Sequence, residues 1–256
     1  MDTFAISVLT AQQGKTHLFS IGQAGYIIKS KSGQLFGIDM YLSECVERIE
    51  GNVGFKRLLP RILNPFDLKF NCIVATHPHV DHFDIDAMCQ LTSNEITELY
   101  ASVECEKEVN RLMMNDKKIT YVKPEDSYVC GDFTLDFINC DHGTGAPDAV
   151  GLILTVDDKK ILFVGDTCLR LDRTEEYLSK GKIDVMVAPI NGAYGNLNEK
   201  ECAVLSEQLK PELTIPCHYG MFASHGGNVG LFYNIMTEEY PENAFRLMCQ
   251  GESIVL

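Results

Sequence analysis

The chain has 256 residues, with 22 basic against 36 acidic side chains and a formal net charge of −14 at pH 7. Phosphate-backbone binding relies on Lys and Arg, so this balance argues against a nucleic-acid partner bound through bulk electrostatics. No run reaches the length a membrane span needs. The opening residues, "MDTFAISVLTAQQGK", lack the basic-then-apolar pattern of a signal peptide, so a cytoplasmic protein is expected.

In chain order, "AGYIIKS" (24–30) predicts a strand, "KSGQ" a hairpin turn with Gly33 at its tip, and "LFGIDM" (35–40) the return strand. "YLSECVERIE" (41–50) predicts a helix stopped by Gly51. "FNCIVAT" (70–76) is a short, wholly apolar strand of the buried kind. Ser102 is expected to cap a helix from Val103 to about Met114, with Glu104 and Glu106 in its first turn. "YVCGDFTLDFINC" (128–140) alternates like a half-buried hairpin, and "AVGLILTVDDKKILFVGDT" (149–167) is a second one turning at Asp157 and Asp158. "EKECAVLSEQLK" (199–210) is a helix ending before Pro211, and "LTIPCHYG" (213–220) is again a strand. Hydrophobic residues make up 45% of the chain and nothing reads as a linker, so residues 1–256 are expected to form a single domain. Strands alternating with helices suggest two sheets covered by helices.

The 10 cysteines are scattered, with no C-x-x-C pair, and are expected to be reduced thiols rather than a zinc cage. Cys140, Cys168 and Cys217 each lie within two residues of a candidate ligand and are expected beside a site, not on a metal.

The chain's chemistry concentrates in "IVATHPHVDHFDID", where His77, His79, Asp81 and His82 fall within six residues, although the whole chain has only 7 histidines. Imidazole and carboxylate together suit zinc, manganese or iron. One ion cannot easily take all four from so short a loop, whereas two neighbouring ions can, as in the two-ion clamp of many hydrolases. Further ligands are expected where other apolar strands end: His142 after "FINCD", Asp166 after "ILFVG" and His218 after "TIPC". Residues at strand ends converge though distant in sequence. His225, in "SHGGN", and Asn191, in "PINGAYGN", are candidate substrate contacts, with a turn-forming role for Asn191 kept open. His17 has no partner in sight and is read as structural.

"THPHVDHFD", "DHGTGAPDAVG", "FVGDT" and "IPCHYGMF" together resemble the metallo-beta-lactamase-fold hydrolases, and within them the UlaG-like branch that includes L-ascorbate-6-phosphate lactonase. The resemblance runs from about residue 20 to 236. It implies a four-layer αββα sandwich and two divalent metal ions. By it, His77, His79 and His142 match one ion's ligands, Asp81, His82 and His218 match the other's, and Asp166 matches the carboxylate between them. Phe83 and Asp84 stand where the glyoxalase and lactamase branches usually carry two glycines, which disfavours thiolester and antibiotic substrates. Met40 stands where the branch often has proline, and Asp39 before it is read as structural.

The resemblance implies a hydrolase whose metal-activated water opens a lactone of a phosphorylated sugar acid, with Asp81 orienting that water and passing its proton to the leaving oxygen. A phosphodiesterase acting on a small or cyclic phosphate is the alternative within the enzyme class. A non-catalytic metal-binding sensor or scaffold is the alternative outside it. A small-molecule partner is expected, and the sequence leaves a homo-oligomer open.

Overall fold

The computed structural model describes residues 1–256 apart from the side chain of Thr144. One sheet is built from β1 (His17–Gly22), β2 (Gly25–Lys29), β3 (Leu35–Ile38), β4 (Cys72–Ala75), β5 (Glu98–Ser102) and β6 (Ile119–Val122), with β13 (Ser253–Val255) added beside β1. The other runs in the order β12 (Leu213–Cys217), β11 (Val185–Pro189), β10 (Lys159–Phe163), β9 (Val150–Val156), β8 (Phe133–Asn139) and β7 (Ser127–Cys130). Each sheet is part meander and part parallel. β3 to β6 are parallel, as are β10 to β12, and the remaining pairs are antiparallel.

Successive strand residues face opposite sides, and both sides are buried. Leu18, Ile28, Phe36 and Val74 meet Phe133, Leu152, Phe163 and Val187 between the sheets. Their neighbours Phe19, Ile27 and Ile73 point outward, under α1 (Thr3–Thr10), α3 (Met88–Leu91) and α4 (Glu106–Arg111). On the far side Ile153, Leu162 and Met186 lie under α5 (Thr174–Tyr177), α6 (Glu199–Leu209) and α7 (Val229–Glu238). The result is the four-layer αββα sandwich that the motifs imply. Strands buried on both faces read as continuous apolar runs, which is why "CIVAT" and "ILFVG" carry no alternation.

The turns at Gly33 and at Asp157–Asp158 adopt the positive φ values that tight hairpins need (96°, 50° and 69°). α6 starts with a capping box between Asn198 and Glu201 and ends at Lys210. Two expectations are corrected. The helix at 41–50 shortens to α2 (Cys45–Glu50), and Gly51 is right-handed and opens a further 3-10 turn, so the left-handed stop is Gly54 (φ 106°). The helix expected at 103–114 is instead a 3-10 turn, Val103–Cys105, followed by α4, and the Ser102 side chain makes no cap bond. That hydroxyl is buried 3.5 Å from Cys105 Sγ, so it is taken up inside the core rather than by the helix amides. Among the described residues, no helix is long and apolar enough to cross a membrane.

Candidate metal centre and its cavity

The strands β8, β10, β11 and β12 run in one direction, so His142, Asp166, Asn191 and His218 emerge at one edge of the second sheet. β3 and β4 deliver Asp39 and the His77–His82 loop at the corresponding edge of the first sheet. Ligands in open α/β sheets commonly lie beyond the carboxyl ends of the strands, and here both sheets contribute.

All seven expected ligands come together there. Their donor atoms form three overlapping groups: His77, His79 and His142; His77, His82 and Asp166; and Asp81, His82 and His218. His77 Nε2 lies 3.0 Å from His79 Nδ1, which lies 3.1 Å from His142 Nε2. These separations are close to the roughly 3.3 Å between ligand atoms on a tetrahedral ion with bonds of about 2.0–2.1 Å. Asp166 faces both ways. Its Oδ1 is 3.1 Å from His218 Nε2 and 3.4 Å from His82 Nε2, and its Oδ2 is 3.9 Å from His142 Nε2. His82 Nε2, His218 Nε2 and Asp166 Oδ1 are buried without a hydrogen-bond partner among the described residues. A buried polar atom left unpaired costs about 1–3 kcal/mol, and three facing one another fit a cation between them.

Other side chains fix these rings. Asp39 Oδ2 accepts from His82 Nδ1 at 2.8 Å and also binds Thr76, whose hydroxyl lies 3.0 Å from His77 Nδ1. Asp39 therefore does more than the structural part read from the sequence. The Cys217 thiol sits 3.4 Å from His218 Nδ1, and the Cys140 thiol donates to the Asp166 carbonyl at 3.2 Å. Two supporting residues escaped the sequence reading, Gln23 and Asn196. Gln23 Nε2 donates to Asp81 Oδ2 at 2.9 Å, and Asn196 Nδ2 donates to Asp166 Oδ2 at 2.9 Å. Gln23 stands in a β-turn and Asn196 in a Gly-Asn pair that reads as turn chemistry, which hid both. Asp84 is buried and accepts from the amides of Leu42, Ser43, Asp86 and Ala87. It shapes the loop that a pair of glycines would leave free.

Burial, the largest cause in each case, lowers the pKa values of His77, His79 and His142, that of His142 to about 4. Neutral imidazole is the ligand form. His82 is the exception: burial works against its charge, but Asp166, Asp39 and Asp81 carry its pKa well above the ordinary value.

A cavity of about 610 Å³ opens over Asp81, Asp166 and His218, and reaches Phe55, Tyr194 and His225. Asn191 and His225 both line it. Asn191 Nδ2 donates to the His225 carbonyl at 3.3 Å, while Asn191 Oδ1 accepts from Asn196 at 3.2 Å, so Asn191 ties two loops together at the cavity wall. His17, as expected, lies apart, buried with Nε2 2.9 Å from the Gln12 carbonyl.

Residues 47–219 match the beta-lactamase superfamily domain. A UPF0173 metal-dependent hydrolase of Polynucleobacter asymbioticus is 27% identical over 254 residues, spanning 88% of this chain and 81% of its own. The metallo hydrolase Igni18 from Ignicoccus hospitalis superposes with a TM-score of 0.72 at 18% identity, over 94% of this chain and 98% of that one. The metallo-beta-lactamase fold protein YhfI from Bacillus subtilis does so with a TM-score of 0.68 at 13% identity, over 95% and 100%.

Proposed function

The chain belongs to the beta-lactamase superfamily and is a metal-dependent hydrolase, and from that premise we propose that it holds two divalent ions and hydrolyses a carbonyl ester, a small lactone above all. The observation that carries this reading is the trio of buried, unpartnered atoms His82 Nε2, His218 Nε2 and Asp166 Oδ1, flanked by the His77, His79 and His142 nitrogens. The two oxygens of Asp166 face opposite halves of the cluster, which suits a carboxylate shared between two ions. The donor set of nitrogen and oxygen fits zinc, manganese or iron.

Ions bound there would render a water acidic enough to ionise near neutral pH and would polarise the scissile carbonyl. The chain's own residues do the rest. Asp81 is half-buried at the cavity floor, and its Oδ2 is held by Gln23 Nε2. From that place its carboxylate takes the water's proton and returns it to the leaving oxygen. In a lactone that oxygen stays tethered to the acid formed, so one C–O bond opens and no fragment departs. Asn196 fixes the orientation of Asp166.

The test is metal analysis of the purified protein, then kcat/KM on lactones, open esters and phosphodiesters in excess zinc or manganese. Two bound ions and lactone turnover are expected. Turnover of phosphodiesters alone would replace this reading with the phosphodiesterase, and bound metal without turnover of any substrate would favour the sensor.

A further inference from the structure

The cavity above the metal centre has a composition that the ligands do not require. Its charged lining residues are Asp81, Asp166 and Glu50, all acidic, and among the described residues no Lys or Arg lines it. The cations of the adjoining loop are engaged elsewhere. Lys56 pairs with Glu47 at 2.5 Å, and the buried Arg57 donates to the Ser43 and Leu59 carbonyls and lies over the Tyr41 ring. With Asp81 and Asp166 taken up by the ions, a phosphate carried away from the metal centre would meet Glu50 and no Lys or Arg to pair with. Phosphate recognition ordinarily uses Arg, Lys or a helix N-terminus.

The opposite wall is aromatic. Phe55 stacks on His225 at 4.6 Å between ring centroids and on Tyr194 at 6.1 Å, and Tyr194 is 5.6 Å from His225. The three come from separate loops: one after α2, one after β11 and one after β12. The wall is assembled in advance rather than left to the ligand. His225 Nε2 is 2.9 Å from the Val53 carbonyl, and Ser224 Oγ donates to the Gly54 carbonyl at 2.7 Å. Gly54 lies so close beneath Ser224 that a Cβ there would collide with its hydroxyl. Tyr194 is 63% exposed and sits at φ 55°, a backbone conformation that costs a bulky residue free energy. An exposed ring in a strained conformation at the mouth of a cavity is poorly explained by packing. It is well explained by a surface that receives a flat group.

We propose that the cavity selects an uncharged substrate bearing an aromatic or other flat unsaturated group, which lies on the wall formed by Phe55, Tyr194 and His225 while the carbonyl reaches the metal centre. This assignment rests on the hydrolase reading above. It narrows the substrate away from sugar phosphates.

Two readouts test it on the metal-loaded protein. The first is kcat/KM for a phenyl-substituted butyrolactone, unsubstituted butyrolactone and a phosphorylated sugar lactone. The second needs no turnover: Kd by calorimetry for phenylacetohydroxamate and acetohydroxamate. The phenyl compound should be favoured at least ~10-fold in each pair, the scale of one buried aromatic contact. In Tyr194→Ala and Phe55→Ala this preference should fall toward one. A phosphorylated lactone used as well as the phenyl lactone would overturn the assignment, as would variants that keep the wild-type ratio. If no lactone is turned over yet the hydroxamate preference and its loss in the variants persist, the lactonase reading fails and the aromatic wall stands.

Discussion

Asp39 Oδ2 lies 2.8 Å from His82 Nδ1, and this contact turns the ring's other nitrogen toward Asp166, 3.4 Å away. A carboxylate behind a ligating histidine fixes its tautomer and raises its basicity, and losing such a partner typically costs about 10–100-fold in metal affinity or activity. Asp39→Asn keeps the size but puts an amide where Thr76 and His82 both donate. A loss of that order is expected in metal affinity, measured by competition with a chromophoric chelator. Unchanged affinity would return Asp39 to a purely structural part.

Asp39 also shows where the sequence stops being legible. The ligands were readable because they sit in a dense motif or directly behind apolar strands, and chain direction at a strand end leaves little choice of where they go. Two sheets covered by helices followed from the same runs, and the family resemblance implied the four-layer order. Gln23 and Asn196 could not be read this way, because each lies in a turn whose residue type already has a local explanation. Asp39 does stand directly behind β3, but with no further ligand residue beside it in sequence it read as structural. The aromatic wall was hidden for another reason: Phe55, Tyr194 and His225 meet only after three loops fold together. The helix expected from Ser102 failed because the buried Ser102 hydroxyl is taken up within the core beside Cys105. Tertiary burial overrode a local capping signal there.

His77 takes part in two of the three ligand groups, so His77→Ala should disturb metal loading more than any single loss on the rim. Bound metal should fall and hydrolysis should be abolished. The melting temperature should also lose its dependence on added metal, since an ion at 100 times its Kd contributes about 2.7 kcal/mol to the folded state. A variant with wild-type metal content and rate would refute the site.

The metal-free protein should be acid-sensitive through His142. Its pKa is lowered to about 4 in the folded chain, against about 6.5 when unfolded. Between these values the unfolded chain holds more protons, so stability rises with pH. This contribution is complete above about pH 6.5 and is lost as pH falls toward 4. Chelator-treated wild type should therefore lose about 1–2 kcal/mol more between pH 7 and pH 5 than His142→Asn. Denaturant titrations at the two pH values give the comparison, and parallel losses would contradict it.

The thiols beside the centre should not be ligands. Cys217 faces the outer nitrogen of His218, Cys140 donates to a carbonyl, and nitrogen and oxygen atoms already supply all three ligand groups. Cys140→Ser, Cys168→Ser and Cys217→Ser should each keep the wild-type metal stoichiometry by elemental analysis. A missing equivalent in any of them would mean a thiolate had been overlooked.

Asp81 is where holding metal and moving a proton can be separated. Its Oδ2 lies 3.6 Å from His82 Nε2 and accepts from Gln23 Nε2 at 2.9 Å, and the residue opens onto the cavity. Asp81→Asn keeps size and one oxygen but cannot carry a proton. If Asp81 only holds metal, excess metal should restore the variant almost fully. With a proton to move, the metal-saturated variant stays slow by the ~10²–10⁴-fold typical of general acid–base help. That deficit should shrink for an activated aryl ester, whose leaving group departs without a proton. Gln23→Leu supplies the control, because it removes the hydrogen bond to Asp81 while leaving the carboxylate in place. Its kcat should fall less than that of Asp81→Asn. The deciding measurement is kcat for all three proteins on one activated ester and one alkyl lactone at saturating metal. Equal fractional losses of Asp81→Asn on both substrates would leave Asp81 as a ligand alone.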